Sequence, residues 1–246
     1  FIVIINLLII YDNQLGATRE LQALRESIIE RQRTFAKNQV EQLITQIENE
    51  QLASRKRLNE NIKSRVNEAH AIATYIYQEN QDKSKEQVCK LIQDALRNIR
   101  FNNGRGYFFI YDMDGTNIMH PVLTEIEGSS MWNFSDIDNK YVIRELSNIA
   151  ETKGEGYLNW RFVKTPDDYN TYEKIGYVRR FSPYNWFIGS GDYIDDAEQD
   201  LKAQMIAKTA SLKYGENGFF LILDEAGEML YHPEQRYIGR QVFDLV

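Results

Sequence analysis

The sequence predicts an α+β fold: one very long N-terminal helix, then two modules built on antiparallel sheets, the second cut short at Val246. Three observations carry this expectation. A strand-turn-strand segment occurs twice, a stretch of some 60 residues has helical periodicity without a breaker, and three further segments alternate like strands joined by short connections.

Residues 1–13 come first. Phe-Ile-Val-Ile-Ile-Asn-Leu-Leu-Ile-Ile-Tyr at Phe1 to Tyr11 is too short to span a bilayer, which takes roughly 20 apolar residues, yet it is continuously apolar. It reads as the end of a transmembrane helix, with Tyr11 at the interface. A buried core strand and the apolar part of a signal peptide are the alternatives, although a basic start and a small-residue cleavage site are lacking.

Residues 14–82 form the long amphipathic helix. No Pro occurs from Leu15 to Glu79 and the only Gly is Gly16. Apolar residues recur at three and four residue intervals through Leu21, Leu24, Ile28, Phe35, Val40, Leu43 and Ile47, and again through Leu58, Ile62, Val66, Ala69, Ile72, Ala73 and Ile76. A stripe of that length has reason to pair with a second copy, so a parallel homodimer is expected. His70 lies on the stripe and reads as a packing histidine.

Residues 83–194 form the first module. Ser84 and Gln87 have capping-box spacing ahead of a helix over Lys85 to Asn98. Strands are predicted over 107–111, 117–120, 156–163, 174–181 and 186–193, with a helix over 139–152. Lys164 to Thr171 reads as a mobile lid. Residues 195–212 form a connecting helix whose Asp195 and Asp196 read as capping carboxylates rather than metal ligands or acid-base groups. Residues 213–246 begin the second module. There Gly218 to Pro233 repeats Gly106 to Pro121 at a constant offset of 112 residues without a gap, keeping the Gly, Phe, Asp, Gly, His and Pro in register. Asp-Met-Asp-Gly and Asp-Glu-Ala-Gly mark the two hairpin turns.

Composition narrows the function classes. With 43% hydrophobic residues the chain can build real cores, and its net charge of -7 lacks the basic surface that nucleic acid requires. The single cysteine, Cys89, rules out an internal disulfide framework and reads as core filler. No G-x-S-x-G, H-E-x-x-H or G-x-x-x-x-G-K-[ST] pattern occurs, so nothing points to an enzyme. No cofactor is implied.

Three stretches resemble the double Cache sensor domains: Asn103-Gly104-Arg105-Gly106-Tyr107-Phe108-Phe109-Ile110-Tyr111-Asp112 through to Met119-His120-Pro121, Lys174-Ile175-Gly176-Tyr177-Val178, and Trp186 to Asp196. The resemblance covers about Leu15 to Val246. It implies an extracytoplasmic (periplasmic) region of a bacterial transmembrane receptor, with a membrane-distal PAS-like module followed by a membrane-proximal one. Such modules bind small metabolites, commonly short carboxylates, amino acids or amines. An Arg-x-Trp-Tyr core that marks amino-acid binding in one branch does not occur here, which weighs against an amino acid.

In a PAS-like module the ligand lies between the sheet and its covering loops, so strand residues of one face are the candidates. Tyr107, Phe109 and Tyr111 share a face by alternation, as do Trp160 and Phe162. An organic anion taken out of water needs a cation, a few donors and aromatic walls. Lys174 supplies the cation; Tyr111, Tyr177 and His120 supply donors; Phe109, Trp132 and Trp160 supply walls. Each aromatic could equally be core, and His120, which recurs with its Pro in both copies, could be a structural bond at a strand end. A structural or partner-binding ectodomain without a small-molecule ligand is the competing expectation. It predicts a melting temperature that no metabolite moves, whereas a ligand at 100 times its Kd adds about 2.7 kcal/mol.

Overall fold

The computed structural model describes residues 2–165, 167, 169–214 and 218–245, with side chains over 14–165, at 167, and over 169–213 and 218–243. The chain divides into two compact units, Gln51–Gln204 and a second made of Phe1–Glu50 with Met205–Val246. The loop expected as a lid lies partly outside the described residues, at 166 and 168.

The helical periodicity is realised as one uninterrupted helix, α1, over Ile2–Glu79. Among the described residues no helix is long and apolar enough to cross a membrane. After a short turn, α2 (Lys85–Arg97) starts on the expected capping box. The Ser84 side chain accepts from the Gln87 backbone N–H and the Gln87 side chain accepts from the Ser84 N–H, which satisfies two of the donors orphaned at a helix start.

Then come β1 (Phe108–Asp112), β2 (Asn117–Met119), α3 (Val142–Lys153), β3 (Glu155–Phe162), β4 (Tyr172–Phe181) and β5 (Trp186–Tyr193). The five strands form one antiparallel sheet in the order β2-β1-β5-β4-β3. An antiparallel sheet commonly leaves one face wet. This one does not: β5, at its centre, is buried along its whole length.

Helices cover both faces. On one, Ala69 and Ala73 of α1 and Val88, Ile92 and Leu96 of α2 pack on Phe108, Ile110, Met119, Phe181, Trp186 and Ile188. Further along that face Ile62 and Val66 of α1 pack on Tyr177. His70 fits this packing role, its Nε2 3.0 Å from the Arg180 carbonyl and its ring edge-on to Phe181. On the opposite face Val142, Ile143, Leu146 and Ala150 of α3 cover Tyr107, Phe109, Tyr111, Trp160, Val178 and Phe187.

β5 runs directly into α4 (Ile194–Ala210). Asp195 and Asp196 stand in its first turn, where the helix dipole favours them, but their carboxylates are engaged by Lys164, at 2.8 and 2.6 Å, rather than acting as caps.

In the other unit β6 (Lys213–Tyr214) pairs with β7 (Gly218–Phe219), and β8 (Ile222–Leu223) with β9 (Met229–Tyr231). The sequence repeat is a structural one. Asp112 Oδ1 accepts from the Thr116 N–H, Asp224 Oδ1 accepts from the Glu228 N–H, and the turn glycines Gly115 and Gly227 both take positive φ, at 88° and 83°. A left-handed residue in a tight turn is why each copy needs Gly there.

Candidate functional site

The face of the sheet beneath α3 holds a buried cation. Lys174 opens the inner part of β4 beside Tyr193 of β5 and Trp160 of β3, and it is only 2% exposed. Its Nζ donates to the Tyr107 hydroxyl at 2.9 Å and lies 4.5 Å from the Tyr107 ring centroid, 4.7 Å from that of Tyr193 and 5.5 Å from that of Phe162. Aromatic faces attract a desolvated ammonium, but they do not replace a carboxylate. Among the described residues no acid lies within salt-bridge distance of Lys174.

The acid that it senses is across the sheet. Asp192 pairs with Ile175 in the ladder and so faces the other way. There it accepts from Asn102 Nδ2 at 2.8 Å and lies 3.5 Å from Arg105 Nε. Asn102, Asn103 and Gly104 all adopt positive φ. That bend is what Asn and Gly tolerate, and it turns the Asn-Asn-Gly-Arg-Gly segment so that Asn102 and Arg105 reach Asp192. Burial therefore dominates at Lys174 and pushes its pKa down to about 7, with Asp192 offsetting only part of the fall.

Close packing makes room for this group. A Cβ at Gly191 would come within 3.1 Å of Lys174 Cε, one at Gly176 within 2.3 Å of the Trp160 ring, and one at Gly189 within 2.4 Å of the Phe109 ring. The glycines of β4 and β5 are where the large side chains of this face lie down.

His120, just past β2, stands beside the cation. Its ring is 5.2 Å from the Tyr107 ring and its Nδ1 accepts from the Leu123 N–H at 2.9 Å. Burial and the neighbouring Lys174 hold its pKa down to about 3, so the ring is neutral near pH 7. With Nδ1 accepting, the proton resides on Nε2, which makes that nitrogen a donor. The strand end is anchored by Glu127, which accepts from the His120 backbone N–H and from both terminal nitrogens of Arg97. Burial also raises the Tyr107 and Tyr111 hydroxyls, keeping both protonated.

At the β2 edge of the same face, Asn117 pairs with Tyr111 in the ladder. Asn117 is 0% exposed, and its side chain lies beside the Tyr111 hydroxyl, where hydrogen bonding between the two eases the ionisation that burial opposes.

The structure thus brings Phe109, Tyr111, His120, Trp160 and Lys174 to one face. Two other candidates are not there. Tyr177 lies on the opposite face against Ile62 and Val66 of α1, because a residue three places from Lys174 along a strand points the other way. Trp132 is 36% exposed and packs on Gly115 and Arg144, beyond the end of β1 farthest from Tyr107. Tyr107, Phe162, Tyr193 and Asn117 join the face although the sequence pattern does not single them out as ligand contacts. For Tyr107 and Asn117 a signal exists: at their positions the second copy carries Phe219 and Met229, so the repeat preserves the scaffold and drops the polar groups.

Among the described residues the arrangement presents donors and a cation with no carboxylate within salt-bridge distance, which suits an anion. Among the described residues no group of acids, His and Cys could hold a metal ion.

A sequence model of the Cache domain family matches residues 16–245, and the chain belongs to that family of ligand-binding sensor modules. Over 122 residues, half of this chain and 22% of the relative, it is 29% identical to the methyl-accepting chemotaxis protein McpP of Pseudomonas putida. Over 108 residues, 44% of this chain and 23% of the relative, it is 33% identical to the sensor histidine kinase MctS of Rhizobium johnstonii. The match thus spans less than a quarter of either relative. A solved structure described as the basis for carboxylic acid recognition by a Cache chemosensory domain aligns with a TM-score of 0.54 at 26% identity, covering 57% of this chain and 96% of that one.

The buried cation has a measurable consequence. Between pH 7 and the ordinary lysine value of about 10.4, the unfolded chain holds a proton at residue 174 that the folded one has released. The unfolded state then binds more protons, so the Lys174 contribution to stability is lowest below pH 7 and rises with pH across that window, by up to about 1.4 kcal/mol per unit. Subtracting the pH profile of Lys174→Met from that of the wild type, by chemical denaturation, should leave this upward slope. A flat difference would contradict it.

Proposed function

We propose that the chain is the extracytoplasmic sensor region of a transmembrane signalling receptor, and that its first module, residues 83–194, binds a short organic carboxylate. The observation that carries this reading is Lys174: a buried amine with Tyr107 and His120 as neighbouring donors and, among the described residues, no acid within salt-bridge distance. Isolated buried charge is costly. A ligand carboxylate offers the missing opposite charge, and Tyr107, which already accepts from Lys174, keeps its own phenol proton to donate. Phe162, Trp160 and Tyr193 keep water away, so the pairing acts at low dielectric.

Membership of the Cache family and the likeness to segments of a chemotaxis protein and a sensor kinase support the receptor setting. In that setting residues 1–13 are the end of a transmembrane helix, α1 leads from it, residues 195–212 connect the modules and residues 213–246 begin the membrane-proximal one. Two copies would pair along the exposed stripe at Leu21, Leu24 and Ile28. The second module lacks the polar lining: Phe219, Leu223 and Met229 stand where the first has Tyr107, Tyr111 and Asn117.

Binding of an anion raises the Lys174 pKa above its free value near 7, so between those two values binding takes up a proton and affinity falls as pH rises. Calorimetric titration with acetate and propionate at pH 8, in buffers of different ionisation enthalpy, should show that uptake. Lys174→Met should weaken binding by about 2 to 4 kcal/mol with the fold intact. Unchanged affinity in the variant, or a ligand that proves cationic, sinks the assignment. No response to any metabolite would favour a partner-binding ectodomain.

A further inference from the structure

A lysine can do chemistry that its ammonium cannot. The neutral amine carries a lone pair that adds to carbonyl carbon, and lysines that form Schiff bases are activated by desolvation in an apolar pocket. Lys174 is placed in that way. It is 2% exposed, and the ring centroids of Tyr107, Tyr193 and Phe162 lie 4.5, 4.7 and 5.5 Å from its Nζ. Among the described residues no carboxylate within salt-bridge distance holds it in the charged form.

The chain supplies its own contrast. Lys63 lies 2.7 Å from Glu155, and Lys164 lies 2.8 and 2.6 Å from Asp195 and Asp196. Glu155 raises the Lys63 pKa, and at Lys164 burial opposes the charge but Asp195 and Asp196 outweigh it. A lysine at the ordinary value of about 10.4 keeps less than roughly one part in a thousand as free amine at neutral pH. At Lys174 burial wins, and with a pKa of about 7 the free amine is a major species there. An acid stands ready beside it: the Tyr107 hydroxyl is 2.9 Å from Nζ, and burial keeps that hydroxyl protonated. The second copy carries Phe219 at the corresponding position, so the strand does not need the hydroxyl to form.

We infer that Lys174 captures a small uncharged aldehyde as a reversible imine, with the Tyr107 phenol as the acid that lets water leave. This activity is separate from carboxylate binding and does not rest on it. The Nζ lone pair attacks the aldehyde carbon, the carbon–nitrogen bond forms as the carbonyl π bond breaks, and a proton passes from nitrogen to the new alkoxide. Tyr107 then protonates that hydroxyl, water departs as the nitrogen lone pair closes the C=N bond, and the proton left on nitrogen returns to the phenolate. One amine and one aldehyde give one imine and one water, with no oxidant or reductant. The product suits the site because it is neutral: an ammonium without a carboxylate partner is costly to bury, and an imine nitrogen carries no charge. Phe162 and the Tyr193 ring offer an alkyl tail apolar contact.

The test equilibrates the whole chain with acetaldehyde or propionaldehyde at neutral pH, reduces it with borohydride, and maps the alkylated lysines by peptide mass spectrometry. Borohydride adds hydride to the imine carbon and fixes the adduct as a secondary amine. At limiting aldehyde Lys174 should be modified tenfold or more above Lys63 and Lys164, and urea should abolish that preference, because unfolding returns every lysine to water. In Lys174→Arg, which keeps a cation but forms no imine, the preferred adduct should disappear. Quenching at successive times should show the Lys174 adduct forming several-fold more slowly in Tyr107→Phe. Modification of Lys174 no greater than that of Lys63 and Lys164 in the folded chain overturns the inference, and an unchanged rate in Tyr107→Phe overturns the part given to the phenol. The probes carry no charge, so a failure of acetate and propionate to bind would leave a positive result standing.

Discussion

Lys174 places an ammonium inside the protein with its nearest formal counter-charge on the other side of a β-sheet, and much of the first module is arranged around that fact. Desolvation alone would drive the proton off, and the fall of its pKa to about 7 shows desolvation winning over the Asp192 field. What keeps the group tolerable is short range: the Tyr107 hydroxyl as acceptor and three ring faces as a weak substitute for solvent. The Lys174 stem passes over Gly191, where an added Cβ would stand 3.1 Å from Lys174 Cε and only 2.7 Å from the Ile175 carbonyl oxygen. Those contacts require the inner face to be dry, which α3 provides by covering it.

The same constraint explains why Asp192 is where it is. Had it faced inward, Lys174 would be a closed ion pair with nothing left for an incoming anion. Facing outward it is itself neutralised by Arg105, which also reaches Asp200 of α4 at 2.7 Å, while Lys164 reaches Asp195 and Asp196. The strand that carries Tyr193 into the site is thus bolted at its far end to the first turns of the helix that leaves the module. A change in charge at Lys174 is felt one residue away from that junction, at Asp192.

Much of the first module is legible in the amino-acid sequence. Strands at 108–112 and 186–193 announce themselves through aromatic and β-branched residues between turn residues, and the cap at Ser84 and Gln87 through spacing alone. Lys174 stands out because a lysine among Ile175, Tyr177 and Val178 contradicts its surroundings. Tyr177 cannot be placed from the pattern, because the face of β4 depends on its ladder with β3 and β5: Gly176, a residue without a side chain, is the one beside Lys174 on the inner face, and Tyr177 turns toward α1. Trp132 lies on a loop, where no periodicity fixes direction. Asn117 reads only as the first residue of a strand, since its burial comes from packing that only the folded chain has. Asp195 and Asp196 have cap-like spacing, and their partner Lys164 is distant in sequence.

The central claim is that Lys174 is a buried amine without a carboxylate partner, half protonated near pH 7, whose charged form a ligand anion would hold, and its protonation can be observed directly. Heteronuclear NMR titration of the lysine side-chain Cε and Nζ resonances, with Lys174→Met to assign the signal, reads its pKa in the free protein and with saturating propionate. The account predicts a free value near 7 that moves up by more than a unit on binding. A free value at the ordinary lysine level of about 10.4, unmoved by the ligand, would contradict it.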